Sequence, residues 1–388
     1  MHSPPERSER RETFLGFQPP AIGEEEIEAV SETLRSGWLT LGPRTQQFEE
    51  AFAAQLGAKH AVAVSSCTAA LHLAYLAAGV GPGDEVIVPS FTMAATASAV
   101  LYCGGTPVFA DILGRHDLSI DPAEVEARIG PKTKAVCVVH FAGYPGKIAE
   151  LRDLCDRKGL ALIEDVAHAP SATVDGRKLG TWGMAGAFSF FSNKILSSGE
   201  GGLLATNDDA VAELARSLRS QAMTSGTWSR HTGATSTYDV VGLGFNYRID
   251  EIHSALLLSR LARLEADIER RRELTRTYRR ELGRIDGLIV PYRDDEVEYS
   301  SCYVFPVLVE DKDRWEHVRD FLRNERGIQT SLFYPAVHRF SAYVERLGEQ
   351  SLPHTELASE TELTIPMFPH MTAEQQERVV TAFEEALA

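Results

Sequence analysis

Between residues 60 and 206 the hydrophobic positions form short runs that are apolar throughout, separated by stretches with helical spacing. Ala61–Val64, Glu85–Val88, Pro107–Ala110, Ala135–Val139 and Ala161–Ile163 read as strands, and helices are predicted near 68–80, 92–103, 122–129 and 147–158. Strands without a polar face, alternating with helices, belong to a mostly parallel sheet covered on both sides, so the pattern predicts an α/β fold. Ligands of such sheets bind beyond the carboxyl ends of the strands. Ser65, Ser66 and Thr68, the segment from Pro89 to Met93, His140, and the segment from Asp165 to His168 all fall at such ends.

Farther along, a helical period runs from about Asp250 to Leu282, with Leu257, Leu261, Leu264 and Ile268 on one face and arginines on the other. It reads as one amphipathic helix joining two domains. The remainder has a strand near Tyr303–Val309, a charged helix near 313–326 and a final helix after Thr372, the pattern of a small α+β domain. Single cores stop growing at roughly 250 to 300 residues, so a chain of 388 residues is expected to divide. The expected parts are a loosely ordered N-terminus over 1–14, a large domain over 15–255 and a smaller C-terminal domain over 256–388. No Gly/Ser-rich linker separates them, so the two domains are expected to pack together.

Charge narrows the function. With 39 basic and 55 acidic residues the formal net charge is −16, which repels phosphate backbones and anionic headgroups, so neither nucleic acid nor a membrane is an expected partner. Cys67, Cys103, Cys137, Cys155 and Cys302 are odd in number and lack CxxC spacing. They indicate no disulfide framework and no metal site, and suit a reducing cytoplasm. The N-terminus has no apolar h-region and no stretch approaches the roughly 20 apolar residues of a membrane span, so a soluble, cytoplasmic protein is expected.

Candidate chemistry centres on Lys194. It ends the run Gly186–Lys194 and precedes Gly199-Glu200-Gly201-Gly202, while a neighbouring strand ends at Glu164-Asp165. Two adjacent strands would bring Asp165 and Lys194 into one site. That pair suits pyridoxal phosphate chemistry: a lysine condenses with the aldehyde, and an aspartate keeps a proton on the pyridine nitrogen. Ser65-Ser66-Cys67-Thr68, between a strand and a helix, offers free N–H groups and a helix dipole to a phosphate, which Ser189 could also reach. A plain N-cap by Ser66 or Thr68, and a structural role for His168, are open alternatives.

From about residue 15 onward the chain resembles the DegT/DnrJ/StrS family of pyridoxal-phosphate enzymes, mostly aminotransferases acting on nucleotide-linked keto-sugars. The resemblance rests on the segments Ser36–Pro43, Thr68–Ala74, Pro82–Pro89, Glu164–Ala169, Ser189–Lys194 with Gly199–Gly202, Gly244–Arg248, Tyr334–His338 and Ile365–Pro369. It implies a fold-type I homodimer with shared active sites, a catalytic Lys194 carrying pyridoxal 5′-phosphate as a Schiff base, Asp165 on the pyridine nitrogen and His168 near the phenolate. It further implies phosphate contacts from Ser66, Cys67, Thr68 and Ser189, Asn246 reaching that phosphate from the partner subunit, and Trp38, Tyr334 and His338 near the sugar.

Two positions depart from the family pattern. Cys67 stands where glycine is usual, which asks the backbone to accept a Cβ, and Met93 stands where an aromatic ring would cover the cofactor. The expected reaction is transamination from an amino donor, expected to be L-glutamate, to a nucleotide-linked keto-deoxysugar. Alternatives are an aminotransferase acting on an aminocyclitol or antibiotic precursor, a sugar dehydratase, which would carry histidine in place of Lys194, and a non-enzymatic regulator, which would need a basic DNA-reading element.

Overall fold

The computed structural model describes residues 14–18, 21–233 and 235–388; the N-terminal segment singled out above lies, save Phe14, outside them. After helices α1 (Glu24–Ser36) and α2 (Pro43–Leu56) the chain enters β1 (His60–Val64), followed by α3 (Cys67–Ala77), β2 (Glu85–Pro89), α4 (Ala95–Tyr102) and β3 (Thr106–Ala110). Next come β4 (Thr133–Val139), α5 (Ile148–Lys158), β5 (Ala161–Asp165), β6 (Ala185–Ser189), β7 (Gly202–Thr206) and α6 (Asp209–Arg219). These strands form one sheet in the order β1-β7-β6-β5-β4-β2-β3. Both of its faces are buried: Ala61, Ala63, Ile87, Val136 and Leu162 enter one core, and their neighbours Val62, Val64, Val86, Ala135 and Ile163 the other. That is the physical reason the strands read as apolar without alternation.

The pairings are parallel from β6 to β3, and β7 runs antiparallel to both its neighbours. Two successive reversals restore direction, so the carboxyl end of β1 meets the same sheet edge as those of β2, β4, β5 and β6. Strand β7 follows a glycine turn and is one element the hydrophobic pattern did not single out; α1, α2 and α6 are others. β7 is admitted close to the start of α3 because it begins with glycine. A Cβ on Gly202 would lie 2.2 Å from the Ser66 carbonyl carbon and 2.5 Å from the Cys67 nitrogen.

The helix expected over 250–282 is two helices, α7 (Glu251–Leu261) and α8 (Leu264–Leu282). Neither glycine nor proline marks the break. Arg263, between them, donates to the Ala21 carbonyl at 2.9 Å and pairs with Glu26 at 3.2 Å, so a tertiary tether overrides continuous periodicity. Beyond it, β8 (Leu288–Ile289), β9 (Phe305–Val309) and β10 (Glu362–Ile365) make a separate antiparallel sheet. Helices α9 (Lys312–Asp320) and α10 (Ala373–Leu387) contribute Val318, Val379 and Phe383 to its core, which Leu15 joins.

Side chains of consecutive strand residues point to opposite faces, and β5 exploits this at its end. Glu164 is fully buried: one carboxylate oxygen accepts the N–H groups of Trp182 and Gly183, both at 2.7 Å. The other accepts the N–H of Gly180 at 2.7 Å and His140 Nε2 at 3.2 Å. The substitution Glu164→Ala strands these four donors and should cost about 3 kcal/mol or more, read as a fall of several degrees in the thermal unfolding midpoint. An unchanged midpoint would show that the network is dispensable.

Candidate active site

At the shared carboxyl edge of the sheet lies a cavity of about 340 Å³. Ser66, Cys67 and Thr68 line it from the start of α3, and Met93 from the loop after β2. Asp165 and His168 enter from the end of β5, and Ser189 and Lys194 from the end of β6 and the turn after it. Tyr334 enters from the segment leading toward β10. The strand ends thus bring together nine of the residues singled out in the sequence.

Asp165 sits between its parallel neighbours, in register with Ala187 of β6 and Val139 of β4. Its carboxylate accepts the Thr96 hydroxyl at 2.8 Å and the Ala167 N–H at 3.1 Å. Burial raises its pKa, opposed by those two hydrogen bonds and by the charge of Lys194. Thr96 is in turn 2.9 Å from Thr92. The two threonines, four apart at a strand-to-helix junction, were a readable signal that the sequence analysis passed over.

The ammonium of Lys194 lies 4.6 Å from the centroid of the Tyr303 ring. Tyr303, from the strap before β9, donates its hydroxyl to Asn193 Oδ1 at 2.9 Å. Burial brings the Lys194 pKa down to about 8, against the raising charges of Asp165 and Cys67. No sequence signal marked Tyr303 as a neighbour of this lysine. His168 accepts the Ala142 N–H at Nδ1, 3.3 Å away, so its ring proton sits on Nε2, 2.8 Å from the Tyr334 hydroxyl. Burial, reinforced by Lys194, holds the His168 pKa well below its ordinary value, and burial pushes the Tyr334 phenol well up.

Ser66 caps α3, accepting the Ala69 N–H at 3.1 Å. The first bond along this helix is from Ala70 to the Ser66 carbonyl at 3.1 Å. The N–H groups of Cys67 and Thr68 precede it and face the helix start without an intrahelical acceptor. Cys67 is the first residue of the helix and is absent from the described residues with positive φ, so its Cβ meets none of the left-handed strain that its replacement of glycine suggested. Burial raises its thiol pKa well above the ordinary value.

Three residues singled out in the sequence lie outside this cavity. Trp38 packs edge-on against Trp228, centroids 4.8 Å apart, and 4.5 Å from the His231 ring. Asn246 is exposed, bridged to Ser220. His338 is 1% exposed; its nitrogens face Ser90 Oγ at 2.7 Å and Glu356 at 3.1 Å. His338, expected near the sugar end of the site, thus has both of its nitrogens engaged by partners outside this cavity.

The family model described as the DegT/DnrJ/EryC1/StrS aminotransferase family matches residues 20–384. The spore coat polysaccharide biosynthesis protein SpsC of Bacillus subtilis (strain 168) is 39% identical, covering 97% of this chain and 98% of that one. The aminotransferase TlmJ of Streptoalloteichus hindustanus superposes with a TM-score of 0.88 at 35% identity, over 96% of this chain and 99% of its own. DesV of S. venezuelae, solved in complex with a ketimine intermediate, does so with a TM-score of 0.84 at 37% identity, over 93% and 94% of the two chains. No described helix is long and apolar enough to cross a membrane. With its sheet order, its lysine-bearing turn and these relatives in agreement, the chain belongs to the DegT/DnrJ/EryC1/StrS aminotransferase family of pyridoxal-phosphate enzymes of fold type I.

Proposed function

We propose that this aminotransferase holds pyridoxal 5′-phosphate beside Lys194 and moves an amino group from L-glutamate to a nucleotide-linked keto-deoxysugar. One observation carries the reading: a lysine whose amine is brought near neutrality shares a cavity with a buried, hydrogen-bonded carboxylate and a helix start with free N–H groups. The description of SpsC as a polysaccharide biosynthesis protein supports a sugar substrate.

The residues fit the cofactor. The N–H groups of Cys67 and Thr68, with the Ser189 hydroxyl, suit a phosphate. Gly202 keeps that cradle open, because a side chain there would drive into the Ser66–Cys67 backbone. Asp165, whose carboxyl pKa is raised by burial, suits a cationic ring nitrogen, which would favour its charged form. Met93, 57% exposed at the cavity mouth, can cover an aromatic ring through its polarizable thioether.

Bound pyridoxal phosphate supplies an aldehyde that condenses with amines and a ring that stores the electron pair left when a proton departs from carbon. Lys194 does the proton work: with its pKa brought down to about 8, a far larger fraction of its amines is unprotonated near neutral pH than for an exposed lysine, so it can take a proton from the donor's α-carbon and return it. The Tyr303 ring beneath it limits the directions from which the amine can work. His168 presents a fixed N–H through Nε2, and Thr96 fixes the direction of Asp165. We further propose a homodimer in which Asn246 reaches the phosphate of the partner's site. Tyr238, Val240, Val241 and Leu243, just before it, expose 52%, 51%, 67% and 94% of their surfaces, as an unburied interface would.

Borohydride should fix the cofactor to Lys194, and the yield with apoprotein should rise with pH through a midpoint near 8, where the amine loses its proton. Peptide mapping checks this; an adduct at another lysine would refute the assignment. In Asp165→Asn the negative charge that holds the Lys194 proton is gone. The midpoint should therefore move to lower pH, and turnover should fall on the order of a hundredfold or more as the ring loses its charge partner.

Mixing Lys194→Ala with Asn246→Ala subunits, each inactive alone, tests the shared site. Random exchange makes half the dimers mixed with one intact site each, so about a quarter of wild-type activity should return. No recovery after proven exchange would refute sharing.

A further inference from the structure

Lys194 also lines a second cavity, of about 290 Å³, on the far side of its turn, walled by the facing surfaces of α7 and α8. Arg260 and Arg271 project into this wall, 7% and 4% exposed. Arg260 makes a single long hydrogen bond, from Nη2 to the Ile195 carbonyl at 3.4 Å. Arg271 spends one nitrogen, Nη1, on the carbonyls of Tyr303 at 2.8 Å and Met367 at 3.1 Å. The Nε of each is buried without a hydrogen-bond partner, and among the described residues neither guanidinium forms an ion pair.

Asp267 is the one carboxylate lining this cavity among the described residues, and it lies 3.8 Å from Arg263. Arg263 is further engaged by Glu26 and the Ala21 carbonyl. Arg270, at the rim, is held by Glu273 and by the carbonyls of Pro369 and Met371. Two buried cations thus share a wall on which Asp267, and Glu26 for Arg260, act only at a distance, and neither guanidinium is in contact with a carboxylate among the described residues. A buried charge is costly unless paired and hydrogen-bonded. Guanidinium groups present a rigid fork of N–H donors matched to the oxygens of carboxylates, sulfates and phosphates.

We propose that this cavity is a binding site for a small oxyanion, held between Arg260 and Arg271. It is separate from the cofactor cradle at α3 and stands whichever sugar the enzyme aminates. The burial of both groups lowers their pKa, that of Arg271 to about 10, a bias that an anion would reverse. Lys194 itself lines this cavity, and Arg271 holds the carbonyl of Tyr303, whose ring lies under Lys194, so an anion bound here is also linked to the lysine through Arg271 and Tyr303.

The test is calorimetric titration of the holoenzyme with sodium sulfate and with sodium formate, against sodium chloride at equal ionic strength. The expected result is saturable binding of one anion per chain. Arg260→Gln should weaken it by about tenfold or more, the loss of one charged hydrogen-bonding partner, whereas Ser189→Ala, in the cofactor cradle, should leave it unchanged. Ala266→Glu, exposed on α8 at the cavity wall, supplies a carboxylate from within. It should weaken external anions at least tenfold and raise the thermal midpoint in their absence, and it decides the matter if Arg260→Gln does not fold. Tighter binding of formate identifies a carboxylate ligand; tighter binding of sulfate identifies an inorganic oxyanion. No saturable binding beyond chloride, or binding that Ala266→Glu leaves intact, overturns the proposal. Neither result bears on Lys194 and the transamination reading, whose tests use the cofactor adduct.

Discussion

The buried carboxylate of Glu164 is the constraint around which the site is built. Its two oxygens gather the turn at Gly180–Gly183 and the imidazole of His140, while His140 accepts the Gly146 N–H at its other nitrogen. The turn feeds β6, which carries Ser189 and leads to Lys194. His140 lies at the end of β4, whose last residue is in register with Asp165. One desolvated anion therefore sets the relative heights of three strands, and the next residue along the same strand is left facing the cavity. A charge satisfied by four donors can stay in the interior, where an unsatisfied one would not.

The electrostatics of the cavity follow from burial more than from pairing. Lys194 is lowered and Asp165 raised, each chiefly by desolvation and each partly restored by the other. Such opposed shifts draw each group toward its neutral form, so Lys194 gives up a proton more readily than an exposed lysine, which suits proton exchange. His168 is excluded from that exchange because burial keeps its ring neutral and the Ala142 N–H fixes its tautomer.

Much of this was legible in the sequence, for identifiable reasons. The strands that pack on both faces were found because no polar residue interrupts them, and Lys194 and Asp165 because each stands where an apolar run stops. What escaped depends on contacts between distant segments. The break between α7 and α8 is imposed by Ala21 and Glu26 on Arg263, and no local residue announces it. Tyr303 was read as part of a strand, and only the fold brings its ring under Lys194. His338 followed an expected motif, but its engagement by Ser90 and Glu356 could not be read from it. Periodicity reports on a residue's own element; it carries no information about which remote backbone will claim a side chain.

Tyr303 has a wider significance than its ring contact. Its hydroxyl holds Asn193, next to the lysine, its carbonyl is gripped by both Gln18 and Arg271, and the strand that begins two residues later belongs to the C-terminal sheet. The tyrosine is thus a rigid strut between the two sheets of the molecule, with the lysine resting on its near end. Any tilt of the smaller sheet against the larger would be passed through this tyrosine to the lysine's surroundings, so the position of that amine depends on how the two sheets are seated.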